Sequence, residues 1–328
     1  MAEAILILRI IKTIVGLLGM LGNGLVCVVI YRNSFMHTLT NALIANQAAL
    51  DCLGSLMLIL TSNIVVISPL PDTTWYHFLC HMWLSNLWLW VFFTSSTVNL
   101  MSLTFERYIA IVYPFHYHSL YTTKFVKGTL VVIWLSGLAL DGAYTAAINT
   151  FEDGQCFYNS SVASQTVGIV FILVKFFIPA VVMLFVYTHI TVELKRSARR
   201  VGGVAVPTVS ASGTSTANNN IENQEQSLLR ARRNTFKTLF MVFITFLVCW
   251  TPNQVIFLMF NFGWTLDFNG AIYIISVSMV AFNSCANPFI YAFKYKQFRR
   301  GFLVMIGKTG RADQHHSTTG TTRSTTVA

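Results

Sequence analysis

Asp51 sits in the middle of a long apolar run, and Asn23, Ser96, Asn283, Ser284 and Asn287 lie at comparable depth in other such runs. A carboxylate taken out of water into an apolar medium costs on the order of 3 kcal/mol or more. Three arrangements relieve that cost: a bound proton, a small hard cation such as sodium with oxygen ligands, or a hydrogen-bonded packing network without an ion. Lys175, one helical turn above Pro179, is a second charge at apolar depth. Asp141, about two turns above Trp134 in the preceding run, can pair with it, and so can an anionic ligand group. At the end of another run stand Phe105, Glu106, Arg107 and Tyr108. Adjacent opposite charges there neutralise each other until a partner competes for the arginine, or simply mark the boundary of the run. Two further segments place a bulky aromatic near a proline: Phe246, Cys249 and Trp250 with Pro252, and Asn287 and Pro288 with Tyr291. A proline inside a helix kinks it and frees carbonyls, so these are points where packing can change.

The elements that must position these residues follow from composition. Of 328 residues, 54% are hydrophobic and 10% charged, with a mean hydropathy of +0.59. A soluble domain carries about 25% charged residues, so a water-soluble core is excluded. Seven apolar runs are long enough to cross a bilayer, over residues 5–31, 39–67, 78–112, 125–148, 164–194, 228–260 and 270–293. The fold class is an all-α membrane protein, a seven-transmembrane helix bundle. A short eighth helix is expected over 294–306, where basic and apolar residues alternate as at a membrane interface. Residues 1–302 form one domain with a flexible loop at about 201–226, and 303–328 read as a disordered Ser/Thr-rich tail.

The formal charge of +10 concentrates at one set of loop ends, including Arg32, Lys124, Lys127, Lys195, Arg233, Lys237 and Arg299. That distribution suits a cytoplasmic membrane surface and not nucleic acid. It predicts an extracellular N-terminus, without a cleavable leader, and a cytoplasmic C-terminus. Arg9 and Lys12, near the start, are exceptions to the charge asymmetry. No nucleophile elbow, P-loop, His-Glu-x-x-His or Cys-x-x-Cys pattern occurs, so an enzyme is not expected. A transporter would need repeat symmetry or broken helices at the midplane, and neither is evident.

Gly22-Asn23, Asp51, Glu106-Arg107-Tyr108, Trp134, Pro179 with Tyr187, Cys249-Trp250 with Pro252, and Asn287-Pro288 with Tyr291 occur in this order, distributed over the seven runs. The chain therefore resembles the rhodopsin-like (class A) G-protein-coupled receptors. The resemblance implies a plasma-membrane receptor that shifts its sixth helix outward on ligand binding and promotes nucleotide exchange on a heterotrimeric G protein. It implies coupling and activation roles for Glu106, Arg107, Tyr108, Tyr187, Phe246, Trp250, Pro252, Asn287, Pro288 and Tyr291. It implies a sodium site at Asp51, Ser96, Asn283 and Asn287, and a disulfide between Cys80 and Cys156. No other cofactor is implied. Ligand contacts are expected at Asn86, Leu89, Asp141, Lys175, Asn253, Gln254 and Phe257, among Trp83, Trp88, Phe260 and Trp264.

Several positions depart from the family pattern. Cys80 stands two residues further from Arg107 than is usual. The sixth run begins with Arg230, Arg232 and Arg233, where many members place an acid, which predicts basal activity. Leu89 replaces the aspartate of amine receptors, and Ala281 the retinal lysine of opsins. The aromatic and amide-rich pocket with its acidic Glu152-Asp153 loop resembles receptors for short peptides such as somatostatin, galanin and allatostatin. A non-peptide ligand, an anionic metabolite or lipid, is the alternative. Asn159 begins a glycosylation sequon, and phosphates placed on the tail by receptor kinases would form an arrestin-binding strip.

Overall fold

The structure, a computed structural model, describes residues 2–64, 66, 69–158, 161–202, 215–266 and 270–308. The first apolar run forms α1 (Ala2–Arg32), and a single 3-10 turn (Ser34–Met36) leads into α2 (Leu39–Asn63). Thr38 caps α2 by accepting the Asn41 N–H at 3.2 Å. Hydropathy carried this run to residue 67, but the helix stops at Asn63 and Ile64 turns extended. The β-branched series that begins at Ile64 favours that conformation.

The third run, expected to be one helix over 78–112, is broken. It comprises α3 (Thr74–Leu79), a π-helical turn (Cys80–Leu84) and α4 (Leu87–Val112). The break is Asn86, which adopts the left-handed conformation (φ 58°, ψ 31°). Asparagine tolerates that region at little cost, so the chain can change direction there without glycine.

A short α5 (Pro114–Leu120) connects to α6 (Thr123–Ile148). An antiparallel hairpin follows, β1 (Asn149–Glu152) paired with β2 (Gln155–Tyr158), with Phe151 opposite Cys156. Its two-residue turn needs positive φ at Asp153 (50°) and Gly154 (73°), the usual Asp-Gly solution. The fifth span is α7 (Val162–Ile172), a π-helical turn (Leu173–Phe177) and α8 (Ile178–Gly202). The π turn lies just before Pro179, whose missing N–H would otherwise interrupt the ladder. The last spans are α9 (Ser215–Asn261) and α10 (Ala271–Lys294), followed by the short α11 (Lys296–Met305).

Helix enters the segment read as a flexible loop over 201–226 from both sides, to Gly202 and from Ser215. Polar residues such as Asn218–Asn220 and Gln224 lack apolar periodicity, but they neither break a helix nor forbid one continuing from a stable span. The tail beyond residue 308 and the sequon Asn159 lie outside the described residues.

Six helical stretches among the described residues are long and apolar enough to span a membrane. The remaining span is α4, which stands between α2, α6 and α8. It faces protein on most sides, so it carries Thr94, Ser95, Ser96 and Asn99 buried along its length, which a lipid-facing helix could not. α1 lies on α2 and α10, and α9 on α10 and α7. Small residues permit the closest approaches. A Cβ added to Gly137 in α6 would collide with Ser95 Oγ and reach 2.6 Å from the Val91 carbonyl of α4. α11 buries Phe298 and Gly301 and leaves Arg299, Arg300 and Leu303 exposed, the two-faced pattern of an interfacial helix.

Candidate functional site

The hairpin end of the bundle holds a cavity of about 520 Å³ between α4, α6, α7, α9 and α10. A disulfide between Cys80 and Cys156 fixes the hairpin to the start of the third column, and Cys156 and Tyr158 form part of the cavity wall. Asn86, Asp141, Lys175, Asn253, Gln254 and Phe257, the residues expected to contact ligand, are among those that line it. Lys175, carried on the π turn of the fifth span, donates to Asp141 Oδ1 at 2.7 Å. Both side chains are almost fully buried, at 4% and 3% exposure. The ammonium also lies 4.9 Å from the Trp90 ring centroid and 4.7 Å from that of Phe171, within cation–π range. Asp141 Oδ2 is buried and accepts no hydrogen bond among the described residues. The cavity therefore offers a nearly neutral ion pair with one open acceptor, set among aromatic rings.

Tyr144 and Phe171 stack at 4.0 Å between ring centroids and 9° between planes, closing the α6–α7 side. Below the cavity, Phe176, next in sequence to Lys175, packs on Phe246 at 5.6 Å, and Phe246 on Trp250 at 5.7 Å. Trp250 also meets Phe93 edge-on at 6.1 Å. The lysine turn is thus one side chain away from the aromatic stack beside Pro252.

Deeper in the bundle, Asp51 is 1% exposed and accepts from Ser96 Oγ at 2.8 Å and Asn287 Nδ2 at 2.7 Å. Gln47 Nε2 reaches both carboxylate oxygens at 3.3–3.4 Å and contacts Ser96. Gln47 in turn accepts from Asn99 at 2.7 Å, Asn99 from Asn46 at 3.0 Å, and Asn46 from Trp134 Nε1 at 3.0 Å. One polar chain therefore links α10, α2, α4 and α6 across the core. Asn283, expected in the same set, makes no hydrogen bond to Asp51 among the described residues. Its Oδ1, like that of Asn287, is buried without a partner among the described residues.

At the opposite, basic end, Arg107 donates to Glu106 and Thr40. Thr40 donates to Glu106 Oε1 at 2.8 Å, and Tyr117 of α5 donates to the same oxygen at 2.6 Å. Burial, and then the neighbouring Glu106, push the Tyr117 phenol up to about 12. Tyr108 takes no part and packs on Tyr113 and His189. Tyr187 is buried and accepts from Thr104 at 3.2 Å, while the Tyr291 hydroxyl is buried with no partner among the described residues.

Residues 22–291 match the family described as the seven-transmembrane receptors of the rhodopsin family. The chain belongs to that family. It is accordingly a G-protein-coupled receptor of the multi-pass plasma-membrane type, and not an enzyme. Among curated relatives, the receptor is similar to trace amine-associated receptor 9 of Mus musculus, at 28% identity over 90% of this chain and 84% of the relative. It is similar to the high-affinity lysophosphatidic acid receptor of Xenopus laevis at 24% identity (93% and 83%). It is also similar to the histamine H2 receptor of Rattus norvegicus at 26% identity (95% and 82%).

Within this receptor, one expected ligand contact lies elsewhere. Leu89 does not line the main cavity but an adjoining one. Trp90 occupies the wall instead. Trp88 and Trp264 are exposed, at 39% and 65%. Tyr144, Thr145, Tyr158, Phe171 and Tyr273 also line the cavity and escaped the sequence reading. An aromatic on a membrane helix carries no mark that separates cavity from lipid. Gln47 escaped as well, although its place one turn before Asp51 was a usable signal.

Proposed function

We propose that this receptor responds to a small non-peptide ligand held in the cavity beneath the hairpin. The observation that carries the reading is the cavity itself: about 520 Å³, roofed by Tyr158, walled by rings and holding a single ion pair. That is the size and make-up of a small-molecule site. The names of the relatives, which mention trace amines, histamine and a lysophosphatidic acid, support a small ligand of this kind.

In this reading the hairpin end is extracellular, and the basic end with the tail is cytoplasmic. Ligand contact at Lys175 and Asp141 alters the π turn, and Phe176 passes the change to Phe246 and Trp250. The cytoplasmic part of α9 then swings outward, Arg107 leaves Glu106, and a G protein binds the cleft. Glu106, Tyr108, Tyr187, Asn287, Pro288 and Tyr291 belong to the same transition. Ligand and G protein each favour one state of a two-state equilibrium, so each raises the other's affinity. Asp51, Ser96 and the unpartnered Asn283 and Asn287 oxygens form an all-oxygen donor set suited to sodium, which would hold the inactive state. Receptor kinases and arrestin would act on the tail, and glycan would be attached at Asn159.

A basic short peptide is the second reading. It is favoured by the exposed Glu152 and Asp153 at the hairpin tip, which would attract positive charge. Nucleotide exchange in cells expressing the receptor, challenged with small acids, amines and short peptides, separates the two. A small-molecule response lost in Tyr144→Leu and in Arg107→Ala at unchanged surface level is the expected result. Responses confined to peptides overturn the small-ligand reading.

A further inference from the structure

A second cavity, of about 380 Å³, adjoins the first. Its wall takes Arg9 and Lys12 from α1 and Thr61 and Ser62 from α2, and it shares Asn86 and Trp90 with the main cavity. Both cations are half-buried and lie one helical turn apart, at i and i+3, so they present to one side of α1. Neither makes an ion pair or a side-chain hydrogen bond among the described residues. A cation at apolar depth is normally paired. The main cavity carries no such surplus, because its lysine already holds an aspartate at 2.7 Å.

We infer that this second cavity is an acid-binding subsite, in which Arg9 and Lys12 hold the carboxylate or phosphate of an amphiphilic ligand whose apolar part passes Trp90 into the aromatic cavity. Guanidinium and ammonium supply charge-assisted donors, and the Thr61 and Ser62 hydroxyls and the Asn86 amide can complete the shell around an anion's oxygens. Trp90, shared by both walls, is where head and body of such a ligand meet. The assignment rests on the small-ligand reading above and gives it a chemical class. It moves the anion anchor from Lys175, which is neutralised by Asp141, to a pair of cations without an ion pair among the described residues.

The test uses the full-length receptor in lipid nanodiscs and four probes with one body: 4-phenylbutyrate, 4-phenylbutyl phosphate, 4-phenylbutanol and 4-phenylbutylamine. Binding is read by saturation-transfer NMR and by the shift in thermal midpoint. The acids are expected to bind about tenfold more tightly than the alcohol, the yield of one added charge-assisted contact, with the amine weakest. In Arg9→Gln/Lys12→Gln the preference should fall to about twofold while alcohol binding is unchanged, and Arg9→Lys/Lys12→Arg should retain it. Inorganic phosphate, the head without the body, should compete weakly. Competition by phosphatidate in the nanodisc assigns the acid to a lipid headgroup, and its absence to a free solute. An acid preference that survives the double glutamine substitution overturns the subsite, as does equal binding of all four probes. An amine preference lost in Asp141→Asn overturns it and leaves the small-ligand reading standing. No binding of any probe overturns both.

Discussion

Removing either partner of the Lys175–Asp141 pair should damage the receptor unequally. Breaking a buried pair by deleting one partner costs about 3–5 kcal/mol, because the survivor is left charged and desolvated. In Lys175→Met the survivor is Asp141. Its Oδ1 loses the ammonium at 2.7 Å, and its Oδ2 has no donor among the described residues. In Asp141→Asn the survivor is Lys175, which keeps the asparagine oxygen as an acceptor and remains 4.9 Å and 4.7 Å from the Trp90 and Phe171 rings. Desolvated cation–π contacts are worth about 2 kcal/mol, so Asp141→Asn should cost about 2 kcal/mol less. For a chain of this size 1 kcal/mol moves the midpoint by about 2 °C. Lys175→Met is therefore expected to fall by about 6–10 °C and Asp141→Asn by about 2–6 °C. The double variant, which buries no charge, should lose less than the sum. The assay is thermal unfolding of purified receptor in one detergent, with surface expression as control. Equal losses in the single variants, a larger loss in Asp141→Asn, or additivity in the double variant would refute the argument that the rings hold the lysine.

Thr40→Ala removes the hydroxyl that both donates to Glu106 and accepts from Arg107. Basal nucleotide exchange should rise about fivefold, the effect of about 1 kcal/mol on the equilibrium, and unchanged basal exchange would show that the contact does not restrain the inactive state. Tyr117→Phe should act in the same direction. Its phenol is raised to about 12, so the hydrogen bond is present below the unfolded value of about 10 and is lost only as pH rises through about 12. The variant's effect on basal exchange should therefore be constant between about pH 6 and about pH 9. Cys80→Ser should cost about 2–5 kcal/mol and deplete surface receptor, read by flow cytometry against the Cys27→Ser control. Sodium should lower agonist affinity in the wild type and leave Asp51→Asn indifferent; equal sodium sensitivity in both would remove the ion from Asp51.

The spans were legible because hydropathy reports the solvent of a segment, and twenty or so apolar residues have few alternatives in a bilayer. Asp51, Arg107, Lys175 and Asp141 were legible for the converse reason, since a charge at such depth demands a partner. Where the reading failed, the cause was local backbone geometry or the direction of a side chain. Asn86 looked like any polar residue near a helix end, yet its left-handed conformation divides the third column. Residues 215–226 looked like a linker, because composition does not reveal a helix propagated from a neighbouring span. Tyr144 and Phe171 stack on each other at the cavity wall, but nothing in the sequence distinguishes them from the exposed Phe185 or Phe289.

The left-handed turn at Asn86 also bears on how such a chain can change length. In an unbroken helix, each residue inserted between Cys80 and Arg107 would rotate everything above it by about 100° and lift it by about 1.5 Å. The disulfide would then be carried out of reach of the hairpin. With Ser85 capping the π turn and Asn86 capping α4, an inserted or deleted residue is absorbed at the joint between the two ladders. The orientation of Leu87–Val112 against its neighbours is preserved. Insertions at this joint should be tolerated, whereas the same insertion at Ser95, opposite Gly137, would misalign every polar contact below it.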